Sequence, residues 1–268
     1  MGKLFKKIQF VKGITAGLPS MVSLIWGSKR LRWNKTGFVK AKDFQAITAI
    51  HIRHSHGKRK LYLRTYAGDI DIFYEIFFKE IYALPPLRNK EVKVVIDLGA
   101  NIGLSALYFL QQYPATRLLC VEPDVTNVEI LLKNLRQEIS SGQVQLYEAA
   151  AMGADGFVAF ESAEAKYNSR VTTGAEVKNI AAISIPTLIK NAGITTVDLL
   201  KIDVEGAEKF IFNADTSWLI CVDNILIEVH SAEDRSVCMK AFNEHHFEVE
   251  TIDADPNNGN LLWARKMK

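Results

Sequence analysis

The 268-residue chain has few cysteines, no long apolar run and almost no acid in its first part, and each shortage excludes something. Three cysteines, an odd number without close spacing, build neither a complete disulfide framework nor a cysteine zinc cluster. Cys120 lies inside an apolar stretch, and such usage fits a reducing, cytosolic setting better than a secreted one. Gly13 to Ser28 is uncharged, but it contains Pro19 and falls short of the roughly 20 residues that a spanning helix needs. Internal repeats and low-complexity linkers are also missing. What remains is a chain with 48% hydrophobic residues, enough for one large domain with an appendage.

The charge is sharply divided. Residues 1–60 hold fourteen Lys or Arg against one acid, Asp43, whereas the remainder holds nineteen against twenty-nine. Such polarity suits an N-terminal part that faces a membrane leaflet, nucleic acid or an acidic partner. It suits equally a solvated basic face folded back on the acidic part. Met1 to Lys12 places Leu4, Ile8 and Val11 on one helical face with Lys3, Lys6 and Lys7 elsewhere. That pattern fits an amphipathic helix lying on a membrane, and also a helix packed on its own domain. The expected location is cytoplasmic, with peripheral contact at the inner face of the membrane as the consequence of the first reading.

Along the chain the periodicity changes twice. Residues 1–45 read as a basic extension, irregular or helical. Residues 46–90 read as a lead-in packed on the core: a β-hairpin over Ile47 to Tyr66 with its tip at His54-Ser55-His56-Gly57-Lys58, then a helix over Ile70 to Leu84. His51, His54 and His56 are better explained as exposed hairpin residues than as metal ligands. From residue 91 to 268, strands and helices alternate, which implies a mostly parallel sheet with helices on both faces. Expected strands are Val94–Leu98, Leu118–Glu122, Val144–Ala149, Val197–Ile202 and Ile225–Val229, with a continuous helix over Thr126–Glu138. Two terminal strands, Phe247–Ile252 and Asn260–Ala264, joined by Pro256-Asn257-Asn258-Gly259, make the last strand antiparallel.

Acids recur where these strands end. Asp97-Leu98-Gly99-Ala100-Asn101-Ile102-Gly103 closes the run Val94-Val95-Ile96, and Glu122-Pro123 closes the next strand. A dinucleotide site needs G-x-G-x-x-G so that bare backbone meets a pyrophosphate, yet Asn101 and Leu104 occupy the second and third glycine positions. The layout instead suits S-adenosylmethionine. Asp97 and the turn through Gly99, Asn101 and Gly103 are placed to take its positively charged methionyl end, and the two oxygens of Glu122 to take the ribose hydroxyls. A helix-capping role would explain Asp97 but not Glu122. Asp203-Val204-Glu205-Gly206 follows the buried run Leu199-Leu200-Lys201-Ile202, so Asp203 is a further cofactor-facing candidate. Glu228 and His230 alternate on one strand and project to one face. His230, with an ordinary pKa of about 6.5, is the preferred base for deprotonating an acceptor hydroxyl. Asp203, Glu205 and Glu228 are the other catalytic candidates. A divalent ion held by Asp203, Glu205 and Glu228 is the rival arrangement, and the metal-free one is preferred.

The blocks Val95-Ile96-Asp97-Leu98-Gly99-Ala100-Asn101-Ile102-Gly103, Val121-Glu122-Pro123 and Leu200-Lys201-Ile202-Asp203-Val204-Glu205-Gly206-Ala207-Glu208 together resemble the FkbM family of S-adenosylmethionine-dependent methyltransferases. The stretch Arg64-Thr65-Tyr66-Ala67-Gly68-Asp69-Ile70, ahead of Phe73 and Tyr82, is similar to that family's lead-in. The likeness covers roughly residues 60 to 250 and leaves out the basic first 40. It implies a class I, Rossmann-like sheet of seven strands in the order 3-2-1-4-5-7-6, and methylation of a hydroxyl, often of a sugar on a glycan or secondary metabolite. A small-molecule or glycan acceptor is thus the expected partner. A catalytically silent cofactor-binding or scaffolding protein is the alternative. An RNA methyltransferase is disfavoured, because Asp203-Val204-Glu205 stands where an Asn/Asp-Pro-Pro-Tyr block would be.

Overall fold

The computed structural model describes residues 2–35, 47–54, 57–65, 67–161, 170–171, 178–252 and 260–267. Continuous apolar runs buried on both faces form the centre: β3 (Val94–Leu98), β4 (Arg117–Val121), β10 (Leu199–Ile202) and β11 (Asn224–Glu228). With β5 (Val144–Tyr147), β12 (Phe247–Thr251) and β13 (Leu261–Lys266) they make a seven-stranded sheet in the order β12-β13-β11-β10-β3-β4-β5. Five neighbours from β11 to β5 run parallel, and β13 runs antiparallel between β11 and β12. Numbered by chain order within this sheet, the strands read 3-2-1-4-5-7-6. This is the class I methyltransferase arrangement, with its antiparallel seventh strand.

Alternate residues of each central strand enter different cores. Val95, Cys120 and Leu199 pack on one side of the sheet with α4 (Leu104–Gln112) and α5 (Val125–Asn134). Ile96, Val121, Leu200 and Ile225 pack on the other with α7 (Ile185–Asn191), α8 (Glu208–Phe212) and α9 (Ala232–Glu244). Chain connections leave β3 and β10 towards opposite halves of the sheet, so a crevice opens beyond their carboxyl ends.

The lead-in belongs to the first core. The hairpin β1 (Ile47–His54) and β2 (Gly57–Arg64) buries Ile50, Ile52, Leu61 and Leu63, and α3 (Asp69–Phe77) buries Ile70 and Phe73. The Asn134 side chain accepts from Tyr62 N–H (2.8 Å) and donates to the carbonyls of Tyr62 (3.1 Å) and Ile102 (2.9 Å). The hairpin tip at residues 55 and 56, Tyr66 and the turn at 256–259 lie outside the described residues.

Four elements differ from expectation. The helix expected over Thr126–Glu138 breaks at Leu135 (φ −106°, ψ 17°) into α5 and α6 (Arg136–Ser140). The break falls where Asn134 is tied to the hairpin and where Leu135 packs under Gly103. The helix expected over Ile70–Leu84 stops at Phe77, and a left-handed Glu80 (φ 52°) turns the chain so that Tyr82 and Leu84 are still buried. The strand expected over Val144–Ala149 ends at Tyr147. β6 (Ala150–Met152) instead joins β7 (Gly156–Glu161), β8 (Arg170–Val171) and β9 (Lys178–Ser184) in a second sheet of order β6-β9-β7-β8. Finally, α1 (Gly2–Ile14) does not present Ile8 and Val11 as one free face. Val11 is completely buried in the first core while Ile8 is exposed.

Candidate functional site

Asp97 and Lys201 are register partners on adjacent strands, and both are buried. Lys201 Nζ lies 3.1 Å from Asp97 Oδ1, donates to the Gly99 carbonyl at 2.8 Å and stands 3.5 Å from Asp203 Oδ2. Ser105 Oγ donates to the other Asp97 oxygen at 2.5 Å. Burial alone would strip Lys201 of its proton, but Asp97 foremost, with Tyr82 and Asp203, holds its pKa well above the ordinary lysine value. A pair of opposite charges thus sits under the glycine turn, and Asp97 has no exposed surface through which to meet a ligand.

The turn itself is shaped by close approach. Gly99 has φ 78°, and a Cβ there would stand 1.8 Å from the backbone oxygen of Asp203. Gly103 has φ 83° and lies against Leu131 and Leu135. Gly99→Ala should therefore cost more than about 2 kcal/mol, as backbone strain adds to a clash with main chain. Gly193→Ala is the control in urea melts, since Gly193 shares the left-handed conformation (φ 62°) but faces open space. Equal losses in the two variants would contradict the close-approach argument.

Asn101, left-handed at φ 48°, donates its backbone N–H to Glu122 Oε2 at 2.8 Å, and its side-chain Oδ1 is buried with no hydrogen-bond partner. Glu122 Oε1 accepts from Asp124 N–H (3.0 Å) and Asn127 Nδ2 (2.9 Å). Burial raises the Glu122 pKa against the lowering effect of these three bonds. Oε1 is thus doubly engaged, while Oε2 accepts one bond and keeps a further acceptor direction.

On the other side of the crevice, Asp203, Glu228 and His230 bring ligand-type atoms within 4.8 Å of one another. His230 Nδ1 lies 2.6 Å from Glu208 Oε1, and Nε2 lies 3.3 Å from Glu205 Oε2 and 3.8 Å from Asp203 Oδ1. Burial would lower the His230 pKa, but the Glu208 hydrogen bond and the charges of Glu208, Asp203 and Glu205 raise it to about 9. The expectation of an ordinary, mostly neutral histidine is corrected: in this state His230 is an imidazolium near neutral pH. Glu228 is pushed up to about 7 by burial and by Asp203, with His230 and Lys201 opposing. Tyr82, stacked on Phe109, sets its hydroxyl 3.5 Å from Asp203 Oδ2, and burial first keeps it neutral.

The structure brings Asp97 and Asp203 together at Lys201, and Glu205, Glu228 and His230 at Asp203, while Gly99, Asn101 and Gly103 form the turn after β3 and Glu122 is tied to Asn101 at the end of β4. Lys201, Glu208, Ser105 and Tyr82 were not anticipated as site residues. The signals were present: a lysine inside an apolar strand, and a glutamate, fully buried here, five residues after Asp203.

A family model described as the methyltransferase FkbM domain matches residues 97–257. Among curated proteins, methyltransferase sdnD of Sordaria araneosa is 24% identical over 73% of this chain and 89% of its own length. The 31-O-demethyl-FK506 methyltransferase FkbM of Streptomyces tacrolimicus is 24% identical over 71% and 86% respectively. Hexuronic acid methyltransferase AglP of Haloferax volcanii is 24% identical over 66% and 72%.

Proposed function

The chain belongs to the FkbM-domain family of methyltransferases, and from that premise we propose that it moves a methyl group from S-adenosylmethionine to a hydroxyl of a sugar or secondary metabolite. The observation that carries the proposal is the charge of the crevice. Among the described residues, the acids Asp97, Asp203, Glu205, Glu208 and Glu228 converge there with the cations Lys201 and His230. An excess of carboxylate suits a ligand bearing a sulfonium and an ammonium. The orphaned Asn101 Oδ1 and the free acceptor direction of Glu122 Oε2 suit a ligand rich in donors. Those residues fit the cofactor.

In this reading Glu122 receives the ribose, Asn101 and the Gly99–Gly103 turn receive the methionyl end, and Asp97 supports them through Lys201. When bound, S-adenosylmethionine supplies an electrophilic methyl on a positive sulfur. In its neutral form His230 takes the proton from the acceptor hydroxyl on Nε2, with Glu208 fixing its ring through Nδ1. Asp203, Glu205 and Glu228 orient the acceptor and balance charge. The names of two relatives, a 31-O-demethyl-FK506 methyltransferase and a hexuronic acid methyltransferase, motivate the hydroxyl acceptor.

Tritium-labelled methyl donor incubated with sugar and polyketide acceptors tests the proposal. Label in a base-stable ether supports it, whereas label found only in amines or in RNA contradicts it. A second expectation concerns pH. Glu228 becomes anionic as pH rises through about 7, so the affinity for S-adenosylmethionine should increase about three- to tenfold between pH 6 and 8. S-adenosylhomocysteine, whose sulfur is uncharged, should show a smaller rise in the same calorimetric series. Parallel curves for both would place Glu228 outside the reach of the sulfonium.

A further inference from the structure

α1 and α2 (Leu18–Lys35) are fastened to the body by some of their side chains and expose other, apolar ones. Val11 and Leu24 are fully buried, and the Phe10 ring packs 5.1 Å from Phe78 and 6.2 Å from Phe73. A Cβ on Gly27 would stand 2.3 Å from Ile70 Cδ1, so α2 presses tightly on α3. The turn between the two helices is pinned to β1: Ala16 N–H donates to the His51 carbonyl (2.7 Å), and His51 N–H to Ser20 Oγ (2.8 Å).

On this fixed mount, Leu18, Val22 and Trp26 recur every four residues along α2 and are 71%, 47% and 51% exposed. Phe5 and Ile8 on α1 are 64% and 46% exposed, and Lys12 follows on the same helical face. Five of the twelve large apolar side chains exposed among the described residues thus lie within residues 1–26. Among the described residues, exposed Lys6 and Lys12 share α1 with Phe5 and Ile8. Arg53 donates to the Lys12 carbonyl at 2.9 Å, bringing two exposed basic residues together, and the first 60 residues hold a single acid. Among the described residues no helix is long and apolar enough to cross a bilayer.

We infer that these two helices dock on the surface of an anionic phospholipid bilayer, with Leu18, Val22, Trp26, Phe5 and Ile8 entering the headgroup boundary. Exposed aliphatic and aromatic residues gain by leaving water there, and the basic residues gain from anionic headgroups. A nucleic-acid surface would use the cations for phosphates but leave Leu18 and Val22 wet. The inference is independent of the methyl-transfer reading.

The full chain is sedimented with vesicles of phosphatidylcholine alone and of phosphatidylcholine mixed with phosphatidylglycerol. Binding should be at least about tenfold stronger to the mixed vesicles and fall with salt. The double variant Leu18→Glu/Val22→Glu should lose about tenfold or more of that affinity, with melting temperature and cofactor affinity unchanged. Phe157→Glu, at a residue 78% exposed on β7, should bind like the parent. The inference is overturned if the parent ignores both vesicles, if the double variant sediments like the parent, or if random-sequence RNA is bound with steep salt dependence and vesicles are not.

Discussion

His230→Ala is expected to slow methyl transfer by about 10²- to 10⁴-fold, the span of a lost general base, with the loss falling on kcat. Its ring is held from behind by buried Glu208 at 2.6 Å, with Nε2 turned towards Asp203 and Glu205. Because its pKa is raised to about 9, kcat/KM should climb from pH 6.5 to about 9 as the imidazolium loses its proton. Glu208→Gln should move that limb to lower pH, since the carboxylate is the largest cause of the rise. If Glu208 served only the fold, the variant would lose activity without moving the limb.

The same group links to stability. A histidine whose folded pKa exceeds its unfolded value stabilises the fold fully below about pH 6.5, and this contribution disappears as pH rises through about 9. A shift from 6.5 to about 9 corresponds to about 3 kcal/mol. Urea melts between pH 6 and 10 should show that decline in the parent and a flatter curve in Glu208→Gln.

Lys201→Met is the second large effect, with an expected loss of about 3–5 kcal/mol, because it takes the cation from Asp97 in a site without exposed surface and leaves it the Ser105 hydrogen bond. It also removes the 2.8 Å bond to the Gly99 carbonyl, so cofactor affinity should fall with stability. The double variant Asp97→Leu/Lys201→Met should regain much of the stability, since an apolar pair of similar size can replace a buried ion pair. It should not regain cofactor affinity. Recovery of both would show the pair to be a packing feature alone, while additive losses would show that the two residues do not act together.

The strand ends were legible because buried parallel strands are continuous apolar runs, so an acid at the end of one is conspicuous. Asp97, Glu122, Asp203 and Glu228 were found that way, and the resemblance supplied the strand order. What stayed hidden depended on distant partners. Nothing local says that Asn134 reaches the hairpin backbone or that the helix breaks beside it. Ala150–Met152 continues an apolar stretch, and only pairing with β9 assigns it to another sheet. Periodicity put Leu4, Ile8 and Val11 together, whereas tertiary contact takes Val11 inward and makes Leu18, Val22 and Trp26 the exposed stripe. The direction of the His230 shift was invisible because it comes from Glu208, on a different element.

Calorimetric titration of S-adenosylmethionine into the folded chain, beside Glu122→Gln, tests the central claim most directly. The account predicts saturable one-to-one binding by the parent, and binding at least about tenfold weaker once the Glu122 charge is removed. No binding by the folded parent, or equal binding by the variant, would contradict it.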